Sequence, residues 1–168
     1  MPSFLRGVKA AREFKLVVFD LDFTLWDAGG VWCDCLQPPF SLRDGKVRDA
    51  SGAVVRVYEE IPPSLRALSA AGFELGIASR TTQPSWARSL LDLLKLRDCF
   101  AFEEIYPSSK VRHFAELKAA SGYDYGEMLF FDDELRNVEE VGELGVRCVH
   151  VRNGFRRALL DAEISLFQ

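Results

Sequence analysis

From residue 15 onward, short apolar runs alternate with segments of helical spacing. Residues 15–19 form a β-rich apolar run that ends abruptly in carboxylates, as a buried central strand does when it delivers polar groups to its carboxyl end. Between residues 27 and 58 the pattern breaks at Gly29-Gly30, Pro38-Pro39, Asp44-Gly45 and Ser51-Gly52, with short β-type segments between, which predicts a loop carrying a hairpin. Pro62-Pro63 can open a brief helix, because proline needs no amide partner there; Leu65, Leu68 and Ala71 continue it and Gly72 can close it. A second strand follows at 73–78, then a helix at 83–94 whose Trp86, Leu90, Leu93 and Leu94 can share an inward face. Residues 101–106 read as strand three. Residues 108–120 read as a helix on Val111, Phe114, Leu117 and Lys118, stopped by Gly122. Strand four at 128–131, a helix at 135–144 ending at Gly145, strand five at 146–151 and a terminal helix at 155–166 complete the series.

Such alternation predicts an α/β fold: a central, mainly parallel sheet with helices on both faces, in three layers, α/β/α. The interruption at about 27–58 is a minimal cap insertion in what reads as a single domain over residues 1–168. Sheets of this kind bind ligands beyond the carboxyl ends of their strands. Four polar clusters fall there: Asp20 and Asp22, Ser79 and Arg80, Lys110 a little beyond strand three, and Asp132-Asp133.

Each cluster alone has an ordinary explanation. Asp-x-Asp can be a solvated strand end or half of a calcium loop; Asp132-Asp133 can cap a helix; Ser79 can be a turn residue and Lys110 a surface charge. Together they say more. Two acidic pairs at the ends of two buried strands, converging on one sheet edge, would repel one another, and a cation would offset that repulsion. Hard oxygen donors without histidine suit Mg2+ rather than zinc. Ser79 can donate to a phosphate oxygen, and Lys110 adds a compact positive charge.

Composition narrows the classes of function. A net charge of −4 and a pI near 5.3 give no global attraction for nucleic acid or an anionic membrane, so anion binding must be local. The apolar runs are strand-sized, far short of a membrane span. Arg6, Lys9, Arg12 and Lys15 tint the N-terminus basic, but Glu13 and the immediate entry into a strand argue against a transit peptide. The four cysteines lack the density of a disulfide-stapled domain, and Cys33 and Cys35 lack a second pair to complete a zinc site. Reduced thiols and a cytoplasmic location are expected. His113 and His150 read as ordinary helix and strand residues. Oligomeric state is not legible.

The succession Asp20-x-Asp22-x-Thr24, Ser79, Lys110, Asp132-Asp133 resembles the four motifs of the haloacid dehalogenase (HAD) superfamily. More narrowly, residues 19–26 (FDLDFTLW), 78–81 (ASRT), 105–110 (IYPSSK) and 130–134 (FFDDE) resemble the magnesium-dependent phosphatase-1 family. The resemblance spans residues 15–151. It implies a Rossmann-like core, Mg2+ as cofactor, an aspartyl-phosphate intermediate, and activity on phosphotyrosine, in protein or peptide, or on sugar phosphates. It further implies Asp20 as nucleophile and metal ligand, with Asp22 as the acid/base whose main-chain carbonyl binds the metal. Asp133 would be a further ligand and Asp132 would stand behind the ligands. Leu21, Ser79, Arg80 and Lys110 would contact phosphate or substrate. Phe23, where tyrosine is common, and Asp27-Ala28, where proline often follows the tryptophan, depart from the family pattern and bear on access rather than chemistry. An alternative from another class is a non-catalytic phospho-ligand module or a receiver-like signalling domain. In receivers, however, the acidic pair precedes the phosphorylated aspartate, whereas here Asp20 comes first.

Overall fold

The computed structural model describes residues 13–166; Arg6, Lys9 and Arg12 lie outside them. The chain enters through β1 (Leu16–Phe19), every residue of which is buried. It then forms β2 (Trp26–Asp27), a 3-10 turn at Cys33–Cys35, β3 (Ser41–Arg43), β4 (Lys46–Arg48) and β5 (Val54–Val57). Helix α1 (Ile61–Ala70) leads to β6 (Glu74–Ser79), α2 (Pro84–Leu93) to β7 (Phe102–Ile105) and α3 (Lys110–Ser121) to β8 (Met128–Asp132). Helix α4 (Leu135–Gly142), β9 (Arg147–His150) and α5 (Arg157–Asp161) follow.

The central sheet has the order β7-β6-β1-β8-β9 and is parallel throughout. Side chains alternate across it with the strand period of two. Leu16 and Val18 pack with Phe114, Leu117, Phe130 and Val141 beneath α3 and α4. Val17 and Phe19 face the other way, toward Leu65, Leu68, Leu90, Leu91 and Leu160 of α1, α2 and α5. Two cores, one per face, make the expected three layers. Phe19 stacks on Phe131 with centroids 5.3 Å apart and meets Phe155 edge-on at 5.7 Å. Aromatic contacts of this kind are worth about 0.5–1.5 kcal/mol each beyond burial and pin the strand that carries Asp20.

The insertion is more than a loop with a hairpin. β3 and β4 do form a hairpin around Asp44-Gly45, both in the left-handed region (φ 52° and 73°) that a two-residue turn of this hand requires. β4 also pairs with β5, and β5 with β2, giving a four-stranded sheet of order β2-β5-β4-β3. Two-residue β2 is too short to register in any hydrophobic period.

Helix faces depart from expectation in two places. On α2 the buried residues are Ala87, Leu90 and Leu91, while half-buried Trp86 turns toward the cap and meets Phe40 edge-on at 6.2 Å. On α3 the inward face is Lys110, His113, Phe114 and Leu117; Val111 is exposed and so is Lys118. The terminal helix is shorter than the pattern suggested, and α4 ends at Gly142. No helix among the described residues is long and apolar enough to cross a membrane.

Candidate active site

β1 lies between β6 and β8, the two strands on either side of the point where the strand order reverses, and a crevice opens there beyond the carboxyl ends. Asp20 leaves the end of β1 with its amide bonded to Phe131 O at 3.0 Å. Lys110 Nζ donates to Asp20 Oδ1 at 2.9 Å, and Thr24 Oγ1 donates to Asp20 Oδ2 at 3.3 Å. The same ammonium donates to Ala78 O and lies 3.3 Å from Asp132 Oδ2. Lys110 is fully buried, which by itself disfavours its charge; Asp20 and Asp132 beside it more than offset this and hold its pKa above the ordinary lysine value.

Asp132, the last residue of β8, is inaccessible to solvent and fully engaged. Its Oδ1 accepts from Glu134 N at 2.8 Å and its Oδ2 from Asn137 Nδ2 at 3.1 Å. The N-cap of α4 is Glu134, so neither aspartate of the pair takes that position. Carboxylate oxygens of Asp20, Asp132 and Asp133 all lie within 4.8 Å of one another. Burial pushes the carboxyls of both Asp132 and Asp133 well above the usual carboxylate range; the charge of Asp20 adds to this at Asp132, and at Asp133 a hydrogen bond with Asp20 adds to it before that charge does. Ionised together, the three carboxylates would outweigh the one ammonium, and a cation among them would offset that charge and favour their ionised forms.

The donor set fits Mg2+. All three side chains offer hard oxygens, and trans oxygens of an octahedral Mg2+ shell stand about 4.2 Å apart, a span that the cluster accommodates. A second group, Asp22, Cys33 and Asp34, is also close enough to hold an ion. Its donors are otherwise engaged. Asp22 Oδ1 accepts from Trp26 Nε1 at 2.8 Å and from Cys33 N at 3.0 Å. Burial pushes the Cys33 thiol far up, so no thiolate is on offer. Cys33, Cys35, Cys99 and Cys148 are all unbridged.

Asp22, half-buried, stands beside the acidic cluster. Burial, assisted by the charge of Asp20, raises its pKa to about 6 against the lowering effect of the Trp26 and Cys33 bonds. A carboxyl poised there can be acid and then base. Ser79, the last residue of β6, accepts Thr81 N on its Oγ at 3.3 Å, which leaves its hydroxyl proton as a donor. Arg80 Nη1 donates to Asn137 Oδ1 at 3.3 Å. Leu21 contributes backbone alone, since its side chain is in the core and its carbonyl takes the amides of Thr24, Leu25 and Trp26.

A cleft of about 310 Å³ is lined by Asp20, Asp22, Ser79, Arg80, Lys110 and Asp133, with Leu21 and Asp132 just beneath. Sequence reasoning missed several residues of this wall. Asn137 is buried one helical turn beyond the aspartate pair; Asp34, Thr81 and Thr82 form a bonded group on the cap side; Trp32, 57% exposed, and Arg136 stand at the mouth. Only Asn137 had a local signal, its helical offset from Asp133. His150 and His113 are structural: Nε2 of His150 bonds Asp133 O at 2.8 Å, Nε2 of His113 bonds Tyr106 O at 2.9 Å, and burial keeps His113 neutral. Phe23 adopts φ 62°, with its amide on Trp26 O at 2.7 Å.

A family model described as acid phosphatase matches residues 13–168. Human magnesium-dependent phosphatase 1 is 43% identical over 159 residues, covering 94% of this chain and 89% of that protein. A HAD-like hydrolase superfamily protein of Schizosaccharomyces pombe is 40% identical over 152 residues, covering 83% of this chain and 86% of that one. Among solved structures, the phosphatase domain of BF1531 from Bacteroides fragilis, complexed with Mg, superposes with a TM-score of 0.62 at 17% identity, over 89% of this chain and 38% of that one. L-2-haloacid dehalogenase from Xanthobacter autotrophicus gives 0.60 at 16% identity, over 88% and 81%. These two share the fold.

Proposed function

The chain belongs to the acid phosphatase family and is a magnesium-dependent phosphatase of the HAD superfamily, and on that premise we propose that it hydrolyses phosphomonoesters through a phosphoryl group carried transiently by Asp20. The observation that carries this reading is the Lys110 ammonium, fully buried and shared between Asp20 Oδ1 and Asp132 Oδ2 at 2.9 and 3.3 Å. A carboxylate approaches a phosphate dianion only where their repulsion is offset, and Lys110 holds a positive charge at that point.

Asp20, Asp133 and the main-chain carbonyl of Asp22 would hold Mg2+, which when bound neutralises phosphoryl oxygens and lowers the barrier to attack. Lys110 and Thr24 fix the two oxygens of Asp20, so the attacking carboxylate loses little freedom on the way to phosphorus. As a carboxylate oxygen of Asp20 bonds to phosphorus, the ester P–O bond breaks and Asp22 gives its proton to the departing oxygen. Asp22, now ionised, takes a proton from water as that water attacks phosphorus. The acyl phosphate bond breaks, inorganic phosphate leaves, and the Asp20 carboxylate is restored. The raised pKa of Asp22 suits both half-reactions. Ser79, Arg80 and the Leu21 amide would orient the phosphoryl oxygens.

The small cap leaves the cleft open to a phosphate borne on a protein, and phosphotyrosine or a sugar phosphate is the substrate class. Exposed Trp32 at the mouth favours an aryl group, which it can stack upon. Cysteines that form no disulfide support reading the enzyme as cytoplasmic. The test is p-nitrophenyl phosphate turnover with Mg2+, with chelator and in Asp20→Asn, followed by kcat/KM for phosphotyrosyl peptides against phosphosugars. Turnover is expected to vanish with chelator and with the variant; survival in either would defeat the mechanism. A screen won by phosphoserine peptides or nucleotides would defeat the substrate class alone.

A further inference from the structure

Asp34 puts a negative charge on the wall of a cleft read as binding phosphate, where charge alone would repel the substrate. Its oxygens are committed elsewhere. Oδ1 accepts from Thr81 Oγ1 at 2.6 Å; Oδ2 accepts from Thr82 N at 2.8 Å and Thr82 Oγ1 at 2.6 Å. These are distances of charge-assisted bonds. They join the cap's 3-10 turn to the loop after β6, across 47 and 48 residues of sequence. That loop is the one that presents Ser79 and Arg80. Thr81 passes the restraint on: its amide donates to Ser79 Oγ at 3.3 Å, and its own Oγ1 accepts from Gln83 N at 3.1 Å, at the N-terminal end of α2. At its other end the same turn holds Asp22, through Cys33 N at 3.0 Å.

We propose that Asp34 is a positioning residue, a latch through which the cap fixes the Ser79–Arg80 phosphate loop and registers it against Asp22. The inference rests on the phosphatase reading above. Asp34 does not touch the reacting atoms; it acts through Thr81 and Thr82. The turn that carries it also carries Trp32, so the latch sets the cleft mouth and the phosphate loop in one register.

Charge and latch predict opposite signs. If Asp34 only repels anions, neutralising it tightens phosphate binding; if it holds the loop, neutralising it loosens binding. The experiment uses the full chain with Mg2+ as wild type, Asp34→Asn, Thr82→Val and the double variant. It reads inorganic phosphate affinity by calorimetry, KM and kcat on p-nitrophenyl phosphate, and melting temperature. Asp34→Asn is expected to raise the phosphate Kd and the KM about tenfold, equivalent to about 1.4 kcal/mol, with kcat falling less. Thr82→Val, which removes one hydroxyl donor, is expected to raise both about threefold, and the double variant to be no weaker than Asp34→Asn. Unchanged or tighter phosphate binding in Asp34→Asn, or additive losses in the double variant, would overturn the latch. A lower melting temperature with unchanged phosphate affinity would overturn it as well, since that marks a merely structural role. Should Asp34→Asn fail to fold, Thr82→Val decides alone: weakened affinity supports the latch and unchanged affinity overturns it. Absence of wild-type turnover would count against the phosphatase reading, while the order of phosphate affinities would still judge the latch.

Discussion

Replacing Lys110 by methionine removes the one ammonium buried among the site's carboxylates while keeping an unbranched chain. In the absence of divalent cation, Asp132 then loses its contact at 3.3 Å, Asp20 its bond at 2.9 Å, and Ala78 O a donor. Because Lys110 and Asp132 are 1% and 0% exposed, solvent screens little of this loss. At alkaline pH, where Asp132 stays ionised despite its raised pKa, removing one partner of a buried ion pair costs about 3–5 kcal/mol, as the other charge is left uncompensated. For a chain of this size that corresponds to a fall in Tm of about 9–15 °C. Urea denaturation of the metal-free protein, with chelator present, measures the loss. Adding Asp132→Asn to Lys110→Met is expected to restore part of it, because the stranded charge goes too. Magnesium is expected to narrow the gap between Lys110→Met and wild type. A loss below about 1 kcal/mol, or a further loss on adding Asp132→Asn, would refute the electrostatic account of the site.

Asp22→Asn should cost an alkyl phosphate substrate more in kcat than an aryl one, since phenoxide leaves without a proton and alkoxide does not; steady-state kinetics on paired substrates checks this. Gly154→Ala should destabilise the fold by more than about 1–2 kcal/mol, because φ is +83° and the added Cβ would fall against the Tyr58 ring; thermal melts read the effect. Acid should loosen the cap. Burial alone would raise the carboxyls of Asp34 and Asp49, but hydroxyl and amide donors from Thr81 and Thr82, and from Ser51, Gln37 and Ala53, hold both below the ordinary value. Their contribution is complete above the unfolded carboxylate pKa and is lost as pH falls through the depressed folded value. Hydrogen-exchange protection factors of β3–β5 amides should therefore fall below about pH 4 ahead of those of β1 and β8.

What the sequence made legible was local. The run at 16–19 declares a strand because all its residues are buried from both sides, and the carboxylates that follow are forced out at its end. Four such ends located Asp20, Ser79, Lys110 and Asp132-Asp133. Where one helix face serves both packing and chemistry, hydrophobic spacing misleads: α3 turns Lys110 and His113 inward and leaves Val111 out, because the site needs a buried cation there. Trp86 is diverted for a different reason, a partner on the cap that no period within α2 encodes. The cap sheet itself rests on two-, three- and four-residue strands, too short for alternation to declare. Asp34 was silent because its partners lie 47 and 48 residues away and its neighbours form a turn with no periodicity. Asn137 shows the middle case, being near in sequence but recognisable only once the helix after Asp133 is known to point it back at Asp132.

Under the proposed mechanism phosphorus is bonded to Asp20 during turnover. Rapid acid quench of the Mg2+-loaded protein with a good aryl phosphate, followed by borohydride reduction and peptide mass spectrometry, tests it most directly. Reduction of the acyl phosphate should convert residue 20, and no other aspartate, to homoserine, and Asp20→Asn should show no such product. Full turnover with residue 20 unmodified, or homoserine at Asp22, Asp132 or Asp133 instead, would contradict the account.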